Sequence, residues 1–259
     1  MKKNWIPYPR YIFRKELALK LIKENIEKNS RFLEIGCASG DFGITLAKRG
    51  YSGLMIDFSE NAEKEVMKNL QNIKNSKVNF QKSNLFDLKE RNKFDFILLF
   101  EVLEHIKKDK KALRKLYNLL PKNGFLLLSV PSKRKLWGPS DILAGHQRRY
   151  SKKGLRSLLS KCGFKIMKLY SYGFPWLNWI KILRDRFAKK ALLKIENKTF
   201  SSKEKLTKES GLNPIKNFYL QNISRFFFNR YSLFIPMQIS DIFNNFDLAE
   251  GYLCLTKKL

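Results

Sequence analysis

Residues 31–43 read RFLEIGCASGDFG, an apolar strand that ends in an acid and runs straight into a glycine-rich turn. A second short apolar run, Leu54-Met55-Ile56, ends in Asp57. A strand, an acid and a glycine turn, with another acid at the tip of the next strand, suit a nucleoside ligand. Gly36 and Gly40 lack a Cβ, so the backbone can approach the ligand closely. The first turn of the following helix offers free N–H groups, and the Asp57 carboxylate can accept both ribose hydroxyls. A dinucleotide site wants G-x-G-x-x-G. That register holds Gly36, Ala38 and Asp41 here, with an acid where a pyrophosphate would lie. No Gly-Lys-Ser/Thr follows, so the Walker pattern is missing too. The spacing points to a nucleoside without phosphates.

Outward from that turn, strands and helices alternate, which argues for an α/β chain with a mostly parallel sheet covered by helices on both faces. The pattern predicts strands at 31–35, 53–57, 77–81, 94–100 and 124–130, then a sixth at 164–172 and the last at 251–256. Helices are predicted at 11–29, 41–49, 60–72, 108–120 and 152–162, the last with Ser151 as N-cap. The expected organisation is an N-terminal helix region (1–30), a core (31–172), an insertion (173–250) and a final core strand (251–259).

The segments LEIGCASG (33–40), the strand ending at Asp57, Asn84-Leu85 after the third strand, and FDFILLFEVLEHI (94–106) occur in this order. Together they resemble the motifs of class I S-adenosylmethionine-dependent methyltransferases, from about Arg31 to Tyr150 and again at the C-terminal strand. The resemblance implies a Rossmann-like seven-stranded sheet with an insertion between its last two strands. It implies that Glu34, Gly36, Ala38 and Gly40 line the methionine portion of S-adenosylmethionine, with Phe100 and Glu101 facing it. Asp57 would hold the ribose, Phe58 would lie beside the adenine, and Asn84 and Leu85 would meet the adenine edge. The chain departs from the family pattern at Ala38, where the family has glycine, and at Asn84, where it usually has aspartate. Asn84 can still accept from the exocyclic amine through its carbonyl.

The chain has two histidines, and both fall in suggestive places. Glu101, Glu104 and His105 form E-x-x-E-H, a spacing that puts three side chains on one helical face. His146 lies in AGHQRRY (144–150). The first cluster resembles a metal-ligand set of ubiquinone-biosynthesis O-methyltransferases and small-RNA 2′-O-methyltransferases, so Glu101, Glu104, His105 and His146 form a candidate set. A divalent ion there would lower the pKa of a substrate hydroxyl. The expectation is a metal-free site with His105 or His146 as base and Glu104, Arg149 and Tyr150 as catalytic partners. Arg148, Arg149 and Tyr150 form a donor cluster suited to a carboxylate or phosphate at the pocket mouth. The GHxRRY pattern resembles bacterial methyltransferases of glycan, lipid and secondary-metabolite pathways.

At 259 residues and 44% hydrophobic content, the chain reads as globular, one α/β domain with an insertion. Its three scattered cysteines, Cys37, Cys162 and Cys254, fit a reducing cytoplasm better than a disulfide framework. The N-terminus reads as no signal peptide, and no run reaches the ~18 apolar residues of a spanning helix. The net charge is +29, and residues 131–210 carry 21 basic and 5 acidic side chains. Lysine-favouring codons explain abundant lysine but not this concentration, which suits an anionic partner. Residues 174–187 predict a helix with Pro175 at its start and Trp176, Trp179, Ile180, Leu183 and Phe187 opposite a basic face. Residues 188–210 read as a lysine- and serine-rich loop, and 218–235 as an aromatic-rich stretch. Such an insertion serves either as a lid or as membrane contact. The expected function is O-methyl transfer to a small, lipid-linked or glycan acceptor, by a cytoplasmic protein peripheral at the inner face of the membrane. RNA 2′-O-methylation is the alternative, and a non-catalytic cofactor-binding or membrane-docking protein the third reading.

Overall fold

The central strands are apolar along their whole length because they are covered on both faces. In the computed structural model, which describes residues 8–71, 73, 77–89, 93–196 and 231–259, this makes a seven-stranded sheet. Its strands are β1 (Arg31–Ile35), β2 (Ser52–Asp57), β3 (Val78–Lys82), β4 (Phe96–Phe100), β5 (Phe125–Pro131), β6 (Phe164–Tyr172) and β7 (Gly251–Lys258). They lie in the order β3-β2-β1-β4-β5-β7-β6. Neighbours pair in parallel from β3 to β5, whereas β7 runs antiparallel to both β5 and β6. The expected Rossmann-like sheet is therefore present, with its strand reversal at the far edge.

The period of two along β4 divides the core. Phe96, Leu98 and Phe100 join one apolar cluster, while Ile97 and Leu99 join the other. The first cluster contains α1 (Pro9–Asn25), α2 (Asp41–Ala47) and Val66 of α3 (Glu60–Leu70). The second contains α4 (Asp109–Leu119) and α6 (Lys152–Lys161), whose N-cap Ser151 accepts from Gly154 N as expected.

Two helices lie beyond the sequence expectation. The short α5 (Pro139–Ala144) is only six residues, too few for a periodic signal, and α8 (Phe234–Phe243) follows the aromatic-rich stretch. The helix expected at 174–187 is longer, α7 (Trp176–Glu196), so the loop expected from 188 is helical up to 196. Ala188, Ala191, Leu192 and Leu193 are good helix formers and continue the turn. The rest of the 188–210 loop and residues 218–230 lie outside the described residues. Among the described residues no helix is long and apolar enough to cross a membrane.

β2 is held so close to β1 that Gly53 has no room for a side chain. A Cβ there would lie 2.5 Å from the Phe32 carbonyl oxygen and 2.6 Å from its ring. Backbone cannot yield as a side chain can, so we expect Gly53→Ala to destabilise the fold by about 1–3 kcal/mol. The measurement is urea denaturation followed by circular dichroism.

Candidate active site

β1 and β4 lie at the point where the strand order reverses, the usual crevice for a ligand at the carboxyl ends of a parallel sheet. The loop after β1 is built from left-handed residues: Gly36 (φ 70°), Ala38 (φ 49°) and Gly40 (φ 70°). At Gly36 a Cβ would also lie 2.5 Å from Val102 Cγ2, so this cradle requires glycine. Ala38 adopts the same strained region with a methyl in place, at a cost of about 1 kcal/mol.

The acids predicted around this loop hold it. Glu34 Oε2 accepts from Gly43 N at 2.9 Å, and burial pushes the Glu34 carboxyl up to about 8. Asp57 accepts from Ala38 N at 3.0 Å through Oδ2 and from Ser59 N at 2.9 Å through Oδ1. Burial raises the Asp57 carboxyl, and those amides oppose the shift. Phe58 follows it, 51% exposed. A glycine cradle ringed by acids, with an exposed aromatic beside the ribose-type acid, fits an S-adenosyl nucleoside and disfavours phosphate.

Asn84 and Leu85 are placed differently from expectation. The Asn84 carbonyl accepts from Phe86 N (2.8 Å) and Asp87 N (3.1 Å), and its amide donates to Asp87. Both carbonyl lone pairs are committed to this turn, so the carbonyl is not open to an exocyclic amine. Leu85 is buried in the second apolar cluster.

Glu101 stands at the end of β4 with φ 54°, a left-handed non-glycine residue. It accepts from Arg10 Nη2 (2.7 Å) and Ser129 Oγ (2.8 Å), with Arg14 Nη1 at 3.8 Å. Burial works against its charge, but Arg10, Arg14 and the Ser129 hydroxyl hold the carboxyl down to about 2. Helix α1 thus brings two guanidiniums over the site, which sequence spacing did not signal. Phe100 packs its ring edge-on to Phe42 (centroids 5.0 Å apart), with the Arg14 guanidinium 5.3 Å from the Phe100 ring.

The two histidines meet. Their rings lie 4.9 Å apart, edge to face, and Glu104 Oε1 is 3.8 Å from His146 Nε2. One ligand atom from each of Glu104, His105 and His146 falls within 4.8 Å of the others, a spacing that fits a divalent ion. Glu101 is outside this set, because Arg10, Arg14 and Ser129 engage it; the four-ligand expectation reduces to three. Glu104 is fully buried, and neither of its oxygens nor His105 Nδ1 has a hydrogen-bond partner. Burial and the nearby Glu101 push the Glu104 carboxyl well up, and burial with His146 pulls His105 down to about 4.

Asp141, which the sequence reading missed, organises the cluster. Its Oδ1 lies 2.8 Å from His146 Nδ1 and accepts from Arg149 Nε at 2.8 Å; Oδ2 accepts from Gly138 N at 2.9 Å. Burial opposes its charge, but His146 and Arg149 hold the carboxyl far below the usual range. An ionised carboxylate only accepts, so Nδ1 of His146 carries a proton toward Asp141, and Nε2 faces Glu104. The D-x4-H-x2-R spacing of 141, 146 and 149 was the available signal.

Arg149 and Tyr150 do not form an acceptor-facing donor cluster. Arg149 is buried, donating to Asp141, the Ser132 carbonyl (3.0 Å) and the Glu250 carbonyl (3.4 Å). Tyr150 donates to Asp109 (3.1 Å), and Arg148 pairs with the same carboxylate at 2.7 Å. All three border a cavity of about 610 Å³ with Arg134 and Trp137, which none of Glu101, Glu104, His105 and His146 lines.

A methyltransferase-domain family model matches residues 9–169. The ubiquinone biosynthesis O-methyltransferase of Pelagibacter ubique is 29% identical over 129 residues, 45% of this chain and 53% of that protein. The chain thus spans about half the length of this curated relative. An S-adenosylmethionine-dependent methyltransferase of Methanosarcina mazei superposes with TM-score 0.55 at 15% identity, over 92% of this chain and 97% of that one. Magnesium protoporphyrin IX methyltransferase of Synechocystis PCC 6803, solved with bound S-adenosylmethionine, gives 0.52 at 18% identity, over 65% and 78%. At these identities both structures speak for the fold alone.

Glu34 supplies a pH test of the site. Its folded carboxyl titrates near 8 and an unfolded one near 4.5, so between these values the folded state binds more protons. Stability should therefore fall as pH rises from 4.5 to 8. Glu34→Gln keeps an acceptor for Gly43 N and cannot ionise, so chemical denaturation across this window should give a flatter slope than wild type.

Proposed function

The chain belongs to the methyltransferase-domain family of class I S-adenosylmethionine-dependent enzymes, and on that premise we propose O-methyl transfer to a small, lipid-linked or glycan acceptor. The acceptor is met by a protein working peripherally at the inner face of a membrane. The observation that carries the proposal is the Asp141–His146 pair, with Nδ1 bound at 2.8 Å and Nε2 turned to Glu104.

When bound, the cofactor supplies a methyl on a sulfonium, already electrophilic and with a good leaving group. Gly36, Ala38 and Gly40 would cradle its methionine side, Asp57 would accept from its ribose and Phe58 would lie beside its adenine. Arg10 and Arg14 hold Glu101 ionised at the end of β4. His146 Nε2 would take the proton of the acceptor hydroxyl, the cofactor supplying the methyl and leaving as its thioether. Asp141 fixes the tautomer and stabilises the imidazolium so formed. Glu104, protonated because it is buried, donates a hydrogen bond to the same oxygen.

A second reading is favoured by the spacing of Glu104, His105 and His146, which would hold a divalent ion that acidifies the hydroxyl directly. RNA 2′-O-methylation remains the alternative acceptor class, supported by the basic charge. Labelled cofactor incubated with fractionated lysate separates the acceptor classes. Label in small-molecule, lipid or glycan fractions supports the proposal, and label confined to RNA overturns it.

His146→Ala should cut turnover ~10²-fold with S-adenosylhomocysteine affinity nearly unchanged, as removal of a base predicts. Asp57→Ala should instead weaken that affinity by ~1.5–3 kcal/mol in calorimetry. Wild-type activity should persist in EDTA; loss restored by added metal would replace the base by the ion.

A further inference from the structure

Most large apolar side chains exposed among the described residues lie between Trp179 and Leu248. On α7 they are Trp179 (60% exposed), Ile182, Leu183, Phe187 (71%) and Leu193, the first four spaced i, i+3, i+4 and i+8 on one face. Arg186 and Lys190, both exposed, fall on the same face at i+7 and i+11. The expected arrangement, apolar on one side and basic on the other, is replaced by one outer face that carries both. Trp176 and Ile180 turn inward and pack on the core. The only acid between 176 and 193, Asp185, also turns inward, to Lys181 Nζ (2.5 Å) and Ser140.

The patch extends past α7. Asn178 Nδ2 donates to the Leu248 carbonyl at 2.9 Å, which sets the exposed Phe246 and Leu248 beside the first turn of α7. Asp247, between them, accepts from Tyr252 at 2.6 Å.

We propose that this face docks on an anionic lipid surface, with Arg186 and Lys190 at head-group level and Trp179, Ile182, Leu183 and Phe187 in the acyl boundary. The proposal rests on the membrane-side reading above and names the surface that performs it. Charge complementarity selects the occupant. A second copy of the chain would set Arg186 and Lys190 against their own counterparts, and a nucleic acid would leave Ile182 and Leu183 without apolar partners. An anionic bilayer satisfies both kinds of side chain at once. The inward side of the same helix carries Arg184, which donates to Glu250 at 2.6 Å, so the docked face backs directly onto the buried charges of the site.

The test is co-sedimentation of the full chain with sucrose-loaded vesicles of phosphatidylglycerol and phosphatidylcholine, or of phosphatidylcholine alone. Wild type should sediment with the anionic vesicles at low salt and release as salt rises. Trp179→Ala with Phe187→Ala should weaken partitioning about tenfold or more. Arg186→Gln with Lys190→Gln should weaken it by about twentyfold at low salt, with little further effect at high salt. Calorimetry with S-adenosylhomocysteine on the same samples checks that each variant is folded and reads the methyltransferase assignment separately. Equal recovery with both vesicle types, or wild-type sedimentation by the apolar variant, overturns the proposal. So does a concentration-dependent dimer in analytical ultracentrifugation that the apolar variant abolishes.

Discussion

A buried chain of alternating charge runs across the carboxyl ends of the strands, and the site depends on it. Arg10 bridges Glu101 at 2.7 Å and Glu250 at 3.2 Å. Glu250 is shared with Arg184 and lies 3.9 Å from Arg149, which binds Asp141, which in turn holds His146. These residues come from α1, the end of β4, the 132–150 segment, α7 and the residue before β7. No single pair would repay the desolvation of its members, but Arg10, Glu101, Glu250, Arg149 and Asp141 each have partners on two sides. Removing one member of such a buried pair typically costs about 3–5 kcal/mol, because the other is left uncompensated.

The same charges give the site its opposing carboxyls. Glu101 stays ionised because two guanidiniums face it, whereas Glu104, three residues on, keeps its proton because it is buried beside that ionised neighbour. Two carboxyls on one turn therefore differ in protonation, which is how an acid and an acceptor coexist near neutral pH. The geometry is held under strain, with Ala38 and Glu101 both in the left-handed region. Strain of about 1–3 kcal/mol at such residues persists only where the surroundings over-determine the backbone. Asp57 on the first loop, and Ser129 and Arg10 on the second, supply those restraints.

Helix α7 joins this interior to the surface. Its inner side packs against α5, where Asp185 accepts from Ser140 N and Lys181 approaches Asp141 at 3.9 Å. The same inner side buries Lys181 among acids and packs Trp176 and Ile180 on the core, while the outer side exposes Trp179 and Phe187 beside Arg186 and Lys190.

The residues 31–57 by themselves determined the β-turn-α cradle, its glycines and its acid-tipped strands, because those depend on local φ/ψ and on a period of two. The alternation that followed fixed a mostly parallel sheet covered on both faces for the same reason, while the antiparallel β7 came from the tertiary pairing. Residues Glu104, His105 and His146 were legible as chemistry, since a chain with two histidines puts both beside acids or arginines. What only the tertiary structure decided was pairing. Arg149 and Tyr150 turned inward to Asp141 and Asp109, Asn84 spent its carbonyl on its own turn, and Glu101 left the candidate metal set for Arg10, a residue 91 positions away. Asp141 offered only its spacing to His146 and Arg149, since a lone acid in a six-residue helix has no periodicity, and its contacts with both come from the turn after α5. Motif spacing encodes which side chains share a turn; burial and charge pairing across the sheet decide which of them remain free to act.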